Sequence, residues 1–202
     1  MNTRQKAILV GMILGDAFLQ KTGQKNARIR LEQSEKQREY LVWKAHQFPE
    51  FFQGKPVTLT RTNPVYQKTY SYVRWQSNAS PEIGKYRYEF YQDSKKIIPT
   101  ILPKLLRDPI SLAVWYMDDG YLYHRDIMAY IYIPRLTSEE CNILLTTLDK
   151  NFGLQPRIVM KKRGEYVLSF NVTETKKLLS LIAQFVIPSM RYKLLDPVST
   201  EA

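Results

Sequence analysis

A chain of 202 residues with 44% hydrophobic and 12% aromatic side chains can build one large core or two small ones, which excludes a disordered linker protein. Thirty lysines and arginines against nineteen aspartates and glutamates leave a net charge of +11, which points to a polyanionic partner, most simply nucleic acid. A single cysteine, Cys141, and two histidines, His46 and His124, exclude an intrachain disulfide and a Cys- or His-rich metal centre; any metal would be a hard cation held by oxygen.

In chain order, Asn2 or Thr3 caps a helix whose apolar positions run through Ile8, Leu9, Met12 and Ile13 to about Gly15. This basic and then apolar start is like a weak signal peptide. Asp16 interrupts it with no small-residue cleavage site before it, so it is expected to belong to the fold. Residues 27–33 alternate Arg28, Arg30 and Glu32 against Ile29, Leu31 and Gln33, which predicts a strand with one wet face. Ser34 caps a second helix. Residues 55–62 and 70–77 read as paired strands about a polar loop holding Asn63 and Pro64, and a helix interrupted by Pro99 and Pro103 follows.

The pattern then begins again. Asp108 and Pro109 open a helix, residues 127–135 form a strand, and Thr137 or Ser138 caps the next helix. A hairpin turns at Arg163 and Gly164, and a last broken helix closes the series. Read from the residues, each half runs helix, strand, helix, strand, strand, helix. The segment IIPTILPKLLRDP (97–109) resembles VIPSMRYKLLDP (186–197), which aligns Pro99 with Pro188 and Lys104 with Lys193. LVGMILGDA (9–17) likewise aligns with LAVWYMDDG (112–120), and Asp16 with Asp119. These alignments define an internal duplication with halves 1–107 and 108–202. No apolar run approaches the ~18 residues of a membrane span.

Gly11 and Gly15 lie on one face of the first helix, and Ala113 is the small residue of its counterpart. If such helices pack side by side, their C-terminal ends meet and Asp16 faces Asp119. Two carboxylates at two helix C-termini concentrate negative charge that nothing in the apolar helices offsets. Divalent cations would offset it, and Mg²⁺ held by one or two carboxylates, water and phosphate oxygens supports phosphodiester hydrolysis.

The segments LVGMILGDA and LAVWYMDDG match the LAGLIDADG motif, and the chain resembles the two-motif, monomeric, intron-encoded branch of the LAGLIDADG homing endonucleases over nearly its whole length. ARIRLEQSEKQREYL, KKIIP and IPSMRYKL are similar to that family's segments too. The resemblance implies an α+β fold of two pseudo-symmetric αββαββα halves. Each half would lay a curved antiparallel sheet along the DNA major groove, with the motif helices at the central interface. It implies Asp16 and Asp119 as catalytic acids and metal ligands, with the backbone carbonyls of Gly15 and Asp118 beside the metal. The metal would be Mg²⁺, with Mn²⁺ or Ca²⁺ able to replace it in binding. It implies an assisting lysine near each centre, Lys96 and Lys193, whereas the internal repeat pairs Lys193 with Lys104. The expected activity is double-strand cleavage at a long asymmetric DNA site, leaving 3′ overhangs. The alternatives are an RNA-binding group I intron maturase, or a DNA-binding protein with a relic nuclease site. The first motif ends in Ala17 instead of glycine, and Val114, Trp115 and Tyr116 are bulkier than the usual motif. No targeting signal is evident, so action in a microbial cytoplasm or an organelle matrix is expected.

Strand alternation nominates the DNA-reading residues. Tyr70, Tyr72, Arg74 and Gln76 share one face of their strand, Arg28 and Arg30 a face of the earlier one, and Thr58 and Thr60 a face of the strand between. In the second half the corresponding set is Tyr130 and Tyr132, then Arg157, Lys161, Arg163 and Tyr166. Arginine suits guanine, glutamine adenine and lysine phosphate.

Overall fold

A computed structural model describes residues 1–195; residues 196–202, counted above with the second half, lie outside the described residues. The chain forms two compact units, Met1–Ile97 and the residues from Ile98 onward. The first comprises α1 (Thr3–Leu14), β1 (Phe18–Lys21), β2 (Ala27–Ser34), α2 (Arg38–His46), β3 (Val57–Asn63), β4 (Lys68–Gln76), α3 (Pro81–Phe90) and a small hairpin, β5 (Tyr91–Gln92) with β6 (Lys95–Lys96). The second comprises α4 (Leu102–Leu105), α5 (Pro109–Asp119), β7 (Gly120–Tyr123), β8 (Met128–Ile133), α6 (Ser138–Phe152), β9 (Arg157–Met160), β10 (Tyr166–Phe170) and α7 (Val172–Ile182), closed by 3₁₀ turns at Ala183–Phe185 and Pro188–Lys193.

Each unit carries a four-stranded antiparallel sheet, in the orders β1-β2-β4-β3 and β7-β8-β10-β9. The αββαββα order is therefore present twice. The strand directly after each motif helix escapes a reading of the residues alone. FLQK and GYLY are four-residue edge strands, too short for alternation to identify them. The boundary between the units falls after Ile97 and not after Arg107. Asn151 of α6 donates to the carbonyls of Pro103 (3.0 Å) and Leu106 (2.7 Å), which ties α4 to the second unit.

Local chemistry explains the helix ends. Asn2 and Gln5 form a reciprocal capping box at α1, and Thr137 and Glu140 form one at α6. Asp108 accepts from the Ile110 N–H with Pro109 in the first turn of α5. The two motif helices are buried all round: Ala7–Ile13 of α1 and Ile110–Met117 of α5 are all inaccessible. A helix apolar on every side needs packing partners on every side.

The two faces of each sheet differ. In the first, Leu19, Ile29, Leu31, Val73 and Trp75 are buried on the face that α2 and α3 cover. In the second, Ala129, Ile131, Leu168 and Phe170 are buried on the face toward α7, where the Thr175 hydroxyl accepts from the Ala129 N–H at 2.8 Å. The opposite faces hold most of the candidate readout residues.

Candidate active site and nucleic-acid interface

Asp16 follows the last turn of α1. The chain leaves the helix there with the Gly15 N–H on the Gly11 carbonyl (3.0 Å) and the Ala17 N–H on the Met12 carbonyl (2.9 Å). The Asp16 side chain is exposed, and its Oδ2 accepts from the Gln33 amide of β2 at 3.4 Å. Gln33 is buried, and alternation in the sequence marks it only as an inward strand residue. Its polarity on an otherwise apolar face was the signal for a site residue. The register sets Ile29 opposite Leu19 and Ala129 opposite Leu122, so the second-unit counterpart of Gln33 is Ile133.

Asp119 is the last residue of α5 and is half-exposed. Gly120 follows it against the Tyr116 ring, and a Cβ there would lie 2.3 Å from both the Tyr116 carbonyl oxygen and Cδ2. Tyr116 itself is fixed, because its hydroxyl donates to the Lys193 carbonyl at 2.8 Å and burial pushes that hydroxyl far above the usual phenol range. The second motif therefore has to end in glycine. In the first motif Ile13 occupies the position of Tyr116, and Ala17 is accommodated.

The lysines settle into corresponding places. The Lys96 Nζ donates to the Gly15 carbonyl at 2.5 Å. The Lys193 Nζ donates to the carbonyls of Met117 (2.5 Å), Asp118 (3.3 Å) and Tyr116 (3.5 Å). Gly15 and Asp118 are equivalent motif positions, so the geometry pairs Lys96 with Lys193. Lys104, which the repeat alignment had paired with Lys193, is an exposed residue of α4 in the second unit. A cation at a helix C-terminus opposes the negative end of the macrodipole just where each carboxylate adds more negative charge. These bonds also place the Gly15 and Asp118 carbonyls against lysines. Among the described residues no group of three His, Cys, Asp or Glu gathers.

On the open face of the first sheet, the register aligns Arg28, Arg30 and Glu32 of β2 with Tyr70, Tyr72, Arg74 and Gln76 of β4. It sets Val57, Leu59 and Arg61 of β3 on that same face. Thr58 and Thr60 are corrected by it: Thr58 pairs with Val73 and lies on the helix-covered face, where its hydroxyl accepts from Arg38 of α2 at 2.6 Å, and Thr60 follows in alternation. Arg61 takes their place as the readout candidate that sequence reasoning missed. Glu32 gathers Arg30, Arg61 and Arg74.

On the second sheet, Tyr130, Tyr132 and Arg157 share the open face with Tyr121 and Tyr123. The Lys161 Nζ lies over the Tyr130 ring (4.0 Å) and the Tyr132 ring (5.2 Å). Arg163 is exposed in the turn before Gly164. Tyr166 is also corrected: it pairs with Ile133 and Met160, so its side chain belongs to the helix-covered side.

Two αββαββα units, each with an aspartate at or just after the end of its buried motif helix, a lysine on the adjacent carbonyls and a polar sheet face, define a nuclease scaffold of the two-motif kind. The model of the LAGLIDADG DNA endonuclease family matches residues 6–178, and the chain belongs to that family. It is 28% identical over 196 residues to a probable intron-encoded endonuclease of Wickerhamomyces canadensis, spanning 95% of this chain and 84% of that protein. The solved structure of the homing endonuclease I-WcaI bound to its DNA recognition sequence superimposes with a TM-score of 0.87 at 27% identity, covering 98% of this chain and 88% of the other. The cytochrome b mRNA maturase bI2 of Debaryomyces hansenii is 25% identical over 93% of this chain and 72% of its own length. The chain is 30% identical to a RecA protein of Mycobacterium shimoidei but spans only 47% of it.

Proposed function

We propose that the protein is a site-specific homing endonuclease that cuts both strands of a long, asymmetric duplex and leaves 3′ overhangs. The observation that carries this reading is the repeated terminus, in which each unit ends its buried motif helix in a carboxylate and clamps the adjacent carbonyls with a lysine. Asp16 and Asp119 are the acids, one for each strand.

The donor set fits a hard divalent cation, because carboxylate oxygens dominate and neither histidine nor cysteine contributes. When bound, Mg²⁺, or Mn²⁺ in its place, supplies positive charge for an attacking water and for the leaving oxygen. The chain's own residues do the positioning. Gln33 orients the Asp16 carboxylate, Lys96 and Lys193 hold the helix ends, and the open sheet face of each unit binds duplex DNA.

The test is plasmid cleavage against candidate intron-insertion sequences with Mg²⁺, comparing wild type with Asp16→Asn and Asp119→Asn. The expected result is a discrete double-strand cut by wild type that both variants lose, each nicking at most one strand. Tight binding without cleavage in Mg²⁺ or Mn²⁺ would leave a relic site. The maturase relative favours one second reading, assistance of intron RNA splicing, and preferential binding of the chain's own intron RNA over duplex DNA would move it to first place.

A further inference from the structure

We propose that Glu32 is a positioning residue that holds Arg30, Arg61 and Arg74 as one guanine-reading cluster, making the first unit's sheet the stringent half of target recognition. The inference rests on the DNA-recognition reading above and deepens it. Glu32 stands on the open face of β2, directly opposite Arg74 of β4. Its Oε2 accepts from Arg74 Nε (2.6 Å) and Nη2 (2.5 Å) and from Arg30 Nη2 (3.2 Å), while Oε1 takes Arg61 Nη1 (2.7 Å). Arg61 is held a second time, over the Tyr72 ring at 4.9 Å.

A carboxylate on a face meant for a polyanion repels phosphate and lowers affinity. A half-exposed ion-pair cluster also contributes little to stability. What the carboxylate does provide is order. Three mutually repelling guanidiniums on flexible stems are drawn into one array, and their planes are set by the bonds they make. The side chains of Arg30, Arg61 and Arg74 stay 33%, 49% and 24% exposed, so none is sealed off from a ligand on that face. A fixed guanidinium fork matches the O6 and N7 acceptors of guanine in the major groove, whereas a mobile one satisfies any phosphate.

The second unit supplies the contrast. By the same register, the counterpart of Glu32 is Tyr132, and the neighbouring cation is Lys161 lying over two tyrosine rings. A lysine is a point charge without a fork, and a tyrosine face offers apolar contact that discriminates weakly. Arg157 and Arg163 bring guanidiniums to the second unit as well, but among the described residues the three-arginine array held by one carboxylate is in the first, and ordered guanine reading therefore concentrates in the half-site under that unit.

The experiment is selection of bound sequences from a randomised duplex library by the full chain under non-cleaving conditions, for wild type, Glu32→Gln and Arg74→Lys. Wild type is expected to show a run of guanine preferences in one half-site, each about tenfold or more. Glu32→Gln should flatten those positions at least about fivefold and leave the other half unchanged. It should also tighten non-specific binding and steepen the salt dependence of log K by up to about 1. Arg74→Lys, which keeps the charge and loses the fork, should flatten the same positions without steepening. An unchanged preference in Glu32→Gln, or a flattening spread evenly over both halves, overturns the proposal. If Glu32→Gln fails to fold, as judged by its urea midpoint, Arg74→Lys decides in the same terms. A wild type that enriches no sequence sinks the recognition reading itself, and this inference with it.

Discussion

Replacing Gly120 with alanine places a methyl where the structure has no room. The new Cβ would lie 2.3 Å from the Tyr116 carbonyl oxygen, 2.3 Å from its Cδ2 and 2.6 Å from its Cε2. Ordinary contacts are about 3.5–4.0 Å, so more than about 1 Å of movement is required. Neither neighbour yields easily. The carbonyl accepts from the Gly120 N–H in the last turn of α5, and the ring is tied through its hydroxyl to the Lys193 carbonyl. Overpacking of this kind costs about 1–3 kcal/mol, and breaking the Tyr116 hydrogen bond adds about 1 kcal/mol. The backbone at Gly120 (φ −79°, ψ 149°) suits any residue, so the cost is one of space alone. Urea unfolding should show a lower midpoint at an unchanged slope. Asp119 is the preceding residue, and a displacement of about 1 Å can slow its strand cleavage by ~100-fold while the other strand is cut normally, so nicked DNA should accumulate. Gly164→Ala is the contrasting control. That turn has φ +79° with nothing within 4 Å, so alanine costs about 1–2 kcal/mol of backbone strain and leaves both strand rates unchanged. A Gly120→Ala protein with the wild-type midpoint and equal strand rates would refute the reasoning.

Gln33→Leu removes the amide from Asp16 in a buried, similarly sized side chain, and strand-resolved kinetics should show the Asp16 strand slowed by about tenfold with the other unaffected. Acid should destabilise the fold mainly through Glu140 and Glu174, with Glu32 adding little. Partial burial pushes each of these carboxyls up, but hydrogen bonds outweigh it and hold each below the ordinary 4.5: from Arg74, Arg61 and Arg30 at Glu32, from the Thr137 and Ile98 N–H groups at Glu140, and from Lys177 and the Gln155 N–H at Glu174. A lowered folded pKa gives stability that is present above about 4.5 and lost as pH falls through the folded values, so the urea midpoint should drop steadily below about pH 4.5. Glu174→Gln should make that drop shallower, as followed by the same titration.

Much of the fold was legible because local rules and tertiary context agree. Alternation across residues 27–33 identifies β2 and its wet face, and of the caps offered at three helix starts (Asn2 or Thr3, Asp108, Thr137 or Ser138) the structure uses Asn2, Asp108 and Thr137. The failures share a physical cause, which is that pairing and not polarity decides a face. In β3 the threonines looked like the wet set, yet register with β4 sets Thr58 beside Val73 and turns Arg61 outward. Tyr166 was misassigned in the same way, since its polarity suggested solvent and its pairing with Ile133 places it inward.

What the amino-acid string determined by itself is the duplication, the two acidic motif ends and the basic character of the partner surface, because each is written in residue type and spacing. Tertiary structure alone decided which lysine lies at the first motif end. Lys96 and Lys104 are both compatible with the linear pattern, and only the return of the β5–β6 hairpin to the end of α1 brings the Lys96 Nζ onto the Gly15 carbonyl. It alone likewise gathered Arg30, Arg61 and Arg74 from three strands around Glu32, because residues far apart in sequence meet across a sheet only through its register.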